Sequence, residues 1–87
     1  MRNALVIDPA DNVATLLGEA PPQGDICWDE GARLVAREHI PEGHKVALRD
    51  IAKGEIVRKY GHPIGTADRD IAAGEHVHTH NLARDED

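Results

Sequence analysis

The sequence has no serine and no phenylalanine, and a single residue each of cysteine, methionine, tryptophan and tyrosine. Without serine there is no G-x-S-x-G nucleophile elbow. No G-x-x-x-x-G-K-[ST] phosphate loop is present either. One cysteine, Cys27, excludes an intrachain disulfide and fits a reducing compartment. It stands beside Trp28 with no basic neighbour in sequence to activate the thiol. Few large rings leave the core to Val, Ile, Leu and Ala, so it is thin. A chain of this size buries somewhat more than about 60% of its unfolded surface, and a partner covering apolar surface would add to its margin. No apolar run approaches the ~18 residues of a membrane span. Met1 to Pro9 holds only a short apolar run before Asp8, so no signal peptide is expected and the address is cytoplasmic. Basic residues are scarce too: 10 Lys and Arg face 16 Asp and Glu, a net charge of −6. That balance argues against nucleic acid and anionic membrane surfaces, which bind through basic residues.

What remains is one small domain of short apolar segments and turns. Ala4 to Ile7 suits a strand, and Asp8 to Asn12 is turn chemistry. Val13 to Leu17 is a strand or a short helix; length does not decide. Gly18 to Asp25 reads as a loop. Ile26-Cys27-Trp28 and Arg33 to Arg37 read as strands around the Asp29-Glu30-Gly31 turn. Tyr60 to Ala67 holds two glycines and a proline, which break a long strand and predict a sharp hairpin or crossover. No segment shows helical periodicity over 11 residues, so the domain is expected to be mostly β.

The frame I-x-x-G-x-x-V occurs three times, starting at Ile40, Ile51 and Ile71. Two copies are nearly identical, Asp50-Ile51-Ala52-Lys53-Gly54-Glu55 and Asp70-Ile71-Ala72-Ala73-Gly74-Glu75. The aspartate is expected to cap a single helical turn. The glycine then takes positive φ, and a strand begins. Spacings of 11 and 20 residues, from 40 to 51 to 71, exclude a solenoid of fixed period.

Half of the six histidines lie in G-E-H-V-H-T-H-N-L. On a strand, His76, His78 and His80 share one face. Imidazoles two apart on that face can reach one ion, with a further ligand from His80, from elsewhere in the domain or from another chain. The bland alternative is an exposed polar strand face. His44 and Lys45 after Gly43 could hold a carboxylate or be solvated. Lys45, Arg49, Arg58 and Lys59 cluster in sequence, as a positive face for an acidic small molecule or as a solvated face. His39 and His62 read as surface and loop residues.

Three stretches resemble a known family. They are Glu42 to Glu55 (E-G-H-K-V-A-L-R-D-I-A-K-G-E), Val57 to Ala67 (V-R-K-Y-G-H-P-I-G-T-A) and Asp70 to Leu82 (D-I-A-A-G-E-H-V-H-T-H-N-L). With Asp11-Asn12-Val13-Ala14 they look like the amino-terminal SAF domain of altronate and galactarate dehydratases. The resemblance spans roughly residues 3–82.

The resemblance implies a β-clip domain of short strands with single helical turns over residues 1–82, followed by an acidic tail over 83–87. It implies a hydro-lyase acting on sugar acids with a divalent metal, Fe2+ or Mn2+, Zn2+ also suiting imidazole. In single-chain members a much larger domain follows. Its absence from this chain implies a small subunit that meets a separate large lyase subunit in a hetero-oligomer, with self-association when isolated. The related sulfolactate sulfo-lyase, which eliminates sulfite, has the same split form and is the alternative. A non-catalytic sugar-acid or metal-binding module is a third reading. His76, His78 and His80 become metal contacts at the subunit junction, with substrate contact as the alternative role. His44, Lys45 and Asn81 become contacts to the substrate, whose identity stays open between sugar acids and sulfolactate. No catalytic residue is assigned.

Overall fold

Every I-x-x-G-x-x-V frame folds into a tight turn that feeds a strand in the computed structural model, which describes residues 2–83. The strands are β1 (Ala4–Leu5), β2 (Val13–Leu16), β3 (Asp25–Asp29), β4 (Ala32–Val35), β5 (Lys45–Ala47), β6 (Ile56–Lys59), β7 (His62–Ala67), β8 (His76–Val77) and β9 (Leu82–Ala83). All pairings are antiparallel, in three sheets ordered β1-β2-β5-β8, β3-β4 and β6-β7-β9. The mostly β expectation therefore holds. No helix among the described residues is long and apolar enough to cross a membrane.

A fourth copy of the frame was hidden. Ala20-Pro21-Pro22-Gln23-Gly24-Asp25-Ile26 makes the same turn, with Ala for Ile, Gln for Gly and Ile for Val. Gln23 takes the positive φ, 70°, that glycine takes elsewhere. The copies pair two by two: Ala20 bridges Ile40, and Ile51 bridges Ile71. Each pair flanks a hairpin, β3-β4 in the first and β6-β7 in the second. Ala20 to Ile51 and Ile40 to Ile71 are both steps of 31 residues. The hydrogen bonds repeat at that step. Gln23 N donates to Ala36 O as Gly54 N does to Ala67 O, and Gly43 N donates to Leu16 O as Gly74 N does to Ala47 O. The uneven spacing in sequence is thus an internal duplication.

The single helical turns are not formed. Each turn is a hydrogen-bonded reversal, and the aspartates cap across the pair rather than locally. Asp50 Oδ1 accepts from Ala73 N, and Asp70 Oδ1 accepts from Lys53 N, both at 2.9 Å. The physical cause is the Ile51–Ile71 bridge, which lays each aspartate beside the opposite turn. The turn's own donor is satisfied by its glutamate: Glu55 Oε1 accepts from Ala52 N and Glu75 Oε1 from Ala72 N.

Burial follows the duplication. One cluster gathers Ala14, Leu16, Ile26, Ile40 and Val46; the other gathers Val13, Ile51, Val57, Ile71 and Val77. The plug residue and the first inward strand residue of every copy are buried. On an extended strand neighbours face opposite ways, so β5 gives Val46 to one cluster and Ala47 to the other. Gly74 joins the halves. Arg37 N donates to its carbonyl at 2.9 Å, and a Cβ there would lie 2.5 Å from Val35 O.

The tip of the second hairpin is tied down by Asp11, which is only 8% exposed. Its carboxylate accepts from Tyr60 N at 3.0 Å and Gly61 N at 2.7 Å. Burial alone would raise its pKa; backbone donors from Gly61, Asp8, Tyr60 and Ile7 together overcome it and hold the group below its ordinary 3.8. The stability Asp11 contributes is therefore complete above its unfolded pKa and is lost as pH falls through the lower folded value. Melts across that acid range are expected to show the loss, and Asp11→Asn to flatten it.

Two expected boundaries moved. Despite Pro63 and Gly65, β7 is the longest strand. Pro63 is tolerated because β9 pairs only with Thr66 and Ala67, leaving Pro63 with a ladder on one side. Ala83, assigned to the tail, belongs to β9. Residues 84–87 of the expected tail lie outside the described residues.

Candidate metal centre

β8 is short. It ends at Val77, so the expected single strand face through His80 does not exist. The cause is Asn81, 3% exposed. Its Oδ1 accepts from His78 N at 3.0 Å, its Nδ2 donates to His76 O at 2.8 Å, and its own N donates to His78 O at 3.1 Å. Asn side chains compete for backbone groups in this way and replace the ladder with a turn. Both ends of the amide expected at substrate are committed to that turn.

The turn brings the histidines together by another route. Val46 pairs with His76 and Lys45 with Val77, so the next step of the register sets His44 opposite His78. Their rings stack, with centroids 4.4 Å apart. His76 lies 5.0 Å from His44 and 5.5 Å from His78 by centroid. His44 Nδ1 and His76 Nε2 are 2.8 Å apart. One nitrogen from each of His44, His76 and His78 lies within 4.8 Å of the others, and all three residues are half-buried.

Two nitrogens bound to one ion at about 2.1 Å can be at most about 4.2 Å apart. The trio offers three imidazole nitrogens at a spacing near that limit, so the donor set fits a metal. Three neutral imidazoles suit Fe2+, Zn2+, Ni2+ or Cu2+ better than Mn2+, which prefers oxygen donors. They also leave coordination positions open.

His80 stands outside the trio, its ring 5.3 Å from that of His76. His44, expected at substrate, lies in the group with His76 and His78, and His80 does not. Lys45 sits on β5 between Thr15 and Val77 in register. Arg49 pairs with Glu55 at 3.2 Å and Lys59 lies over the Tyr60 ring, so the expected positive face is dispersed.

Burial pushes the His76 imidazole below its ordinary 6.5, and His44, His80 and His78 push it further; Glu38 opposes them. The ring is therefore neutral at pH 7, the form that ligates metal. Glu38 was missed by sequence reasoning. Its Oε2 accepts from His76 N at 3.1 Å, across 38 residues, because the Arg37–Gly74 bond lays that segment beside β8. No local pattern could have signalled it.

The family model for the altronate/galactarate dehydratase SAF domain matches residues 2–85. Altronate dehydratase of Escherichia coli (strain K12) is 48% identical over 75 residues, covering 86% of this chain and 15% of that enzyme. Altronate dehydratase of Bacillus subtilis (strain 168) is 37% identical, and 16% of it is covered. The chain thus spans about a sixth of these relatives. The (2R)-sulfolactate sulfo-lyase subunit alpha of Chromohalobacter salexigens is 37% identical, with 90% of this chain and 89% of that subunit covered. With the matched model spanning nearly every residue and the strands and turns laid out as above, this chain belongs to the altronate/galactarate dehydratase SAF domain family.

Proposed function

We propose that this chain is the small subunit of an altronate dehydratase-type hydro-lyase, completing with a large lyase subunit in the cytoplasm a site that dehydrates a sugar acid. The observation that carries this reading is the convergence of His44, His76 and His78 in a domain 48% identical to part of an altronate dehydratase. His44, His76 and His78 hold the ion. Asn81 fixes the turn that aims His78, and Glu38 fixes the backbone of His76. When bound, a divalent ion supplies positive charge that offsets the negative charge growing on a carboxylate as the neighbouring carbon loses its proton. The trio binds Fe2+ or Zn2+ more tightly than Mn2+, unless the partner or substrate adds oxygen ligands. His80 and Lys45, at the margin of the cluster, are contacts for the substrate or the partner.

A specific observation favours a second reading. The sulfo-lyase subunit alpha matches along nearly its whole length, which supports elimination of sulfite by a two-subunit enzyme. Co-expression with the large lyase chain of the same genome, then assays of hexonate dehydration and of sulfite release from sulfolactate, separates the two. Dehydration supports the first reading and sulfite release the second. Metal binding without a complex or turnover would leave a binding module and reject both.

A further inference from the structure

The tip of the β6-β7 hairpin carries a residue that the turn does not favour. Tyr60 has φ 58° and Gly61 φ 79°. Two positive φ values in a two-residue hairpin loop call for Asn-Gly or Asp-Gly. A bulky side chain in that region is an outlier, and such outliers mark function where the surroundings enforce them. Asp11 enforces this one by accepting from both tip amides.

The ring so held is not spent on the core. Tyr60, the only tyrosine, is 40% exposed, with Lys59 Nζ 4.9 Å from its centroid. Gly61 backs onto Asp8: a Cβ added there would lie 2.8 Å from Asp8 Oδ2. Ile7, the neighbour of Asp8, is 60% exposed. An exposed aromatic ring and a lysine thus stand at the hairpin-tip corner, over the Asp11 carboxylate that holds its backbone and the Asp8 carboxylate behind Gly61, with exposed Ile7 next in sequence to Asp8.

We propose that this corner anchors the large lyase chain: Tyr60 and Ile7 enter an apolar slot of that chain, and Lys59 faces carboxylates at its rim. The inference rests on the two-subunit reading above. The matched segment is 15% and 16% of the altronate dehydratases, so in those relatives a far larger body accompanies this domain. A second copy fits less well, because a symmetric contact through this corner sets Lys59 against Lys59. Tyrosine is enriched among residues that dominate interface energy. β7 runs six residues from the tip to Ala67, which pairs with Leu82 beside the histidine turn. β7 thus runs about 20 Å from the tip to the strand that follows the histidine turn. The anchor supplies affinity, not chemistry.

Tyr60→Asn tests it, because Asn suits the turn while removing the ring. The melting temperature is expected to hold or rise, and metal binding by the isolated chain to stay the same. The Kd for the large lyase chain of the same genome, read by calorimetry, is expected to rise about 10-fold or more. Ile7→Asn, away from the turn, is expected to weaken the complex in the same direction. Lys59→Glu is expected to weaken it most at low salt. Unchanged affinity in Tyr60→Asn and Ile7→Asn overturns the anchor and leaves the two-subunit reading intact. No complex with the wild-type chain overturns both. Self-association of the isolated chain that Tyr60→Asn abolishes, seen by sedimentation, gives the corner to a second copy and also overturns the anchor.

Discussion

Replacing His76 with glutamine is expected to weaken binding of Zn2+ roughly 100-fold. Structural zinc is worth about 10–16 kcal/mol over four ligands, so one imidazole supplies about 3 kcal/mol, roughly 100-fold in affinity. His76 is hydrogen-bonded to His44 and held by Glu38 through its backbone. His44→Gln is expected to cost about as much, since it removes one of the three nitrogens. His80→Gln is expected to cost less than about 10-fold, because it acts on the trio from outside. Calorimetry with Zn2+ at pH 7 on the isolated chain reads all three. A loss at His80 equal to that at His44 would move the centre to the expected H-x-H-x-H set. The wild-type affinity is expected to fall in acid as the ligands protonate, with His76 staying neutral further below 6.5 than an ordinary histidine.

Asn12→Ala is expected to be the most damaging substitution for stability outside the apolar clusters. Asn12 is 1% exposed. Its Nδ2 donates to Ile56 O at 2.9 Å and its Oδ1 accepts from Arg58 N at 2.8 Å, stitching the second hairpin to the segment before β2. Truncation leaves two half-buried backbone groups unpaired, at about 1–3 kcal/mol each. A domain of this size has about 4–13 kcal/mol in all, so the variant keeps a fraction of its margin or unfolds. Urea denaturation gives the number. A loss below about 1 kcal/mol would mean that water replaces both bonds. Asn12→Asp keeps the acceptor and loses the donor, and it is expected to fall between the two.

Which features were legible depended on whether their cause was local. The three glycine-marked turns were, because positive φ excludes most side chains and leaves glycine as a visible mark. The fourth was not: Gln23 takes the same conformation without the mark, and Ala20 is too small to stand out as a plug. The duplication therefore looked like an uneven repeat. The aspartates were legible as caps, but not the turns they cap, since that depends on the antiparallel bridge between Ile51 and Ile71.

The sequence by itself determined the class of the fold, the family and the presence of a histidine cluster around residues 76–80. The class and the cluster follow from periodicity and turn chemistry, which act over a few residues, and the family from the resemblance of three short stretches of sequence. The tertiary structure decided the membership of the cluster. Strand pairing set His44 opposite His78 across 34 positions of chain, and one buried amide, Asn81, replaced the strand after Val77 with a turn. Both are long-range or competitive hydrogen-bond choices, settled only when the whole backbone is satisfied at once.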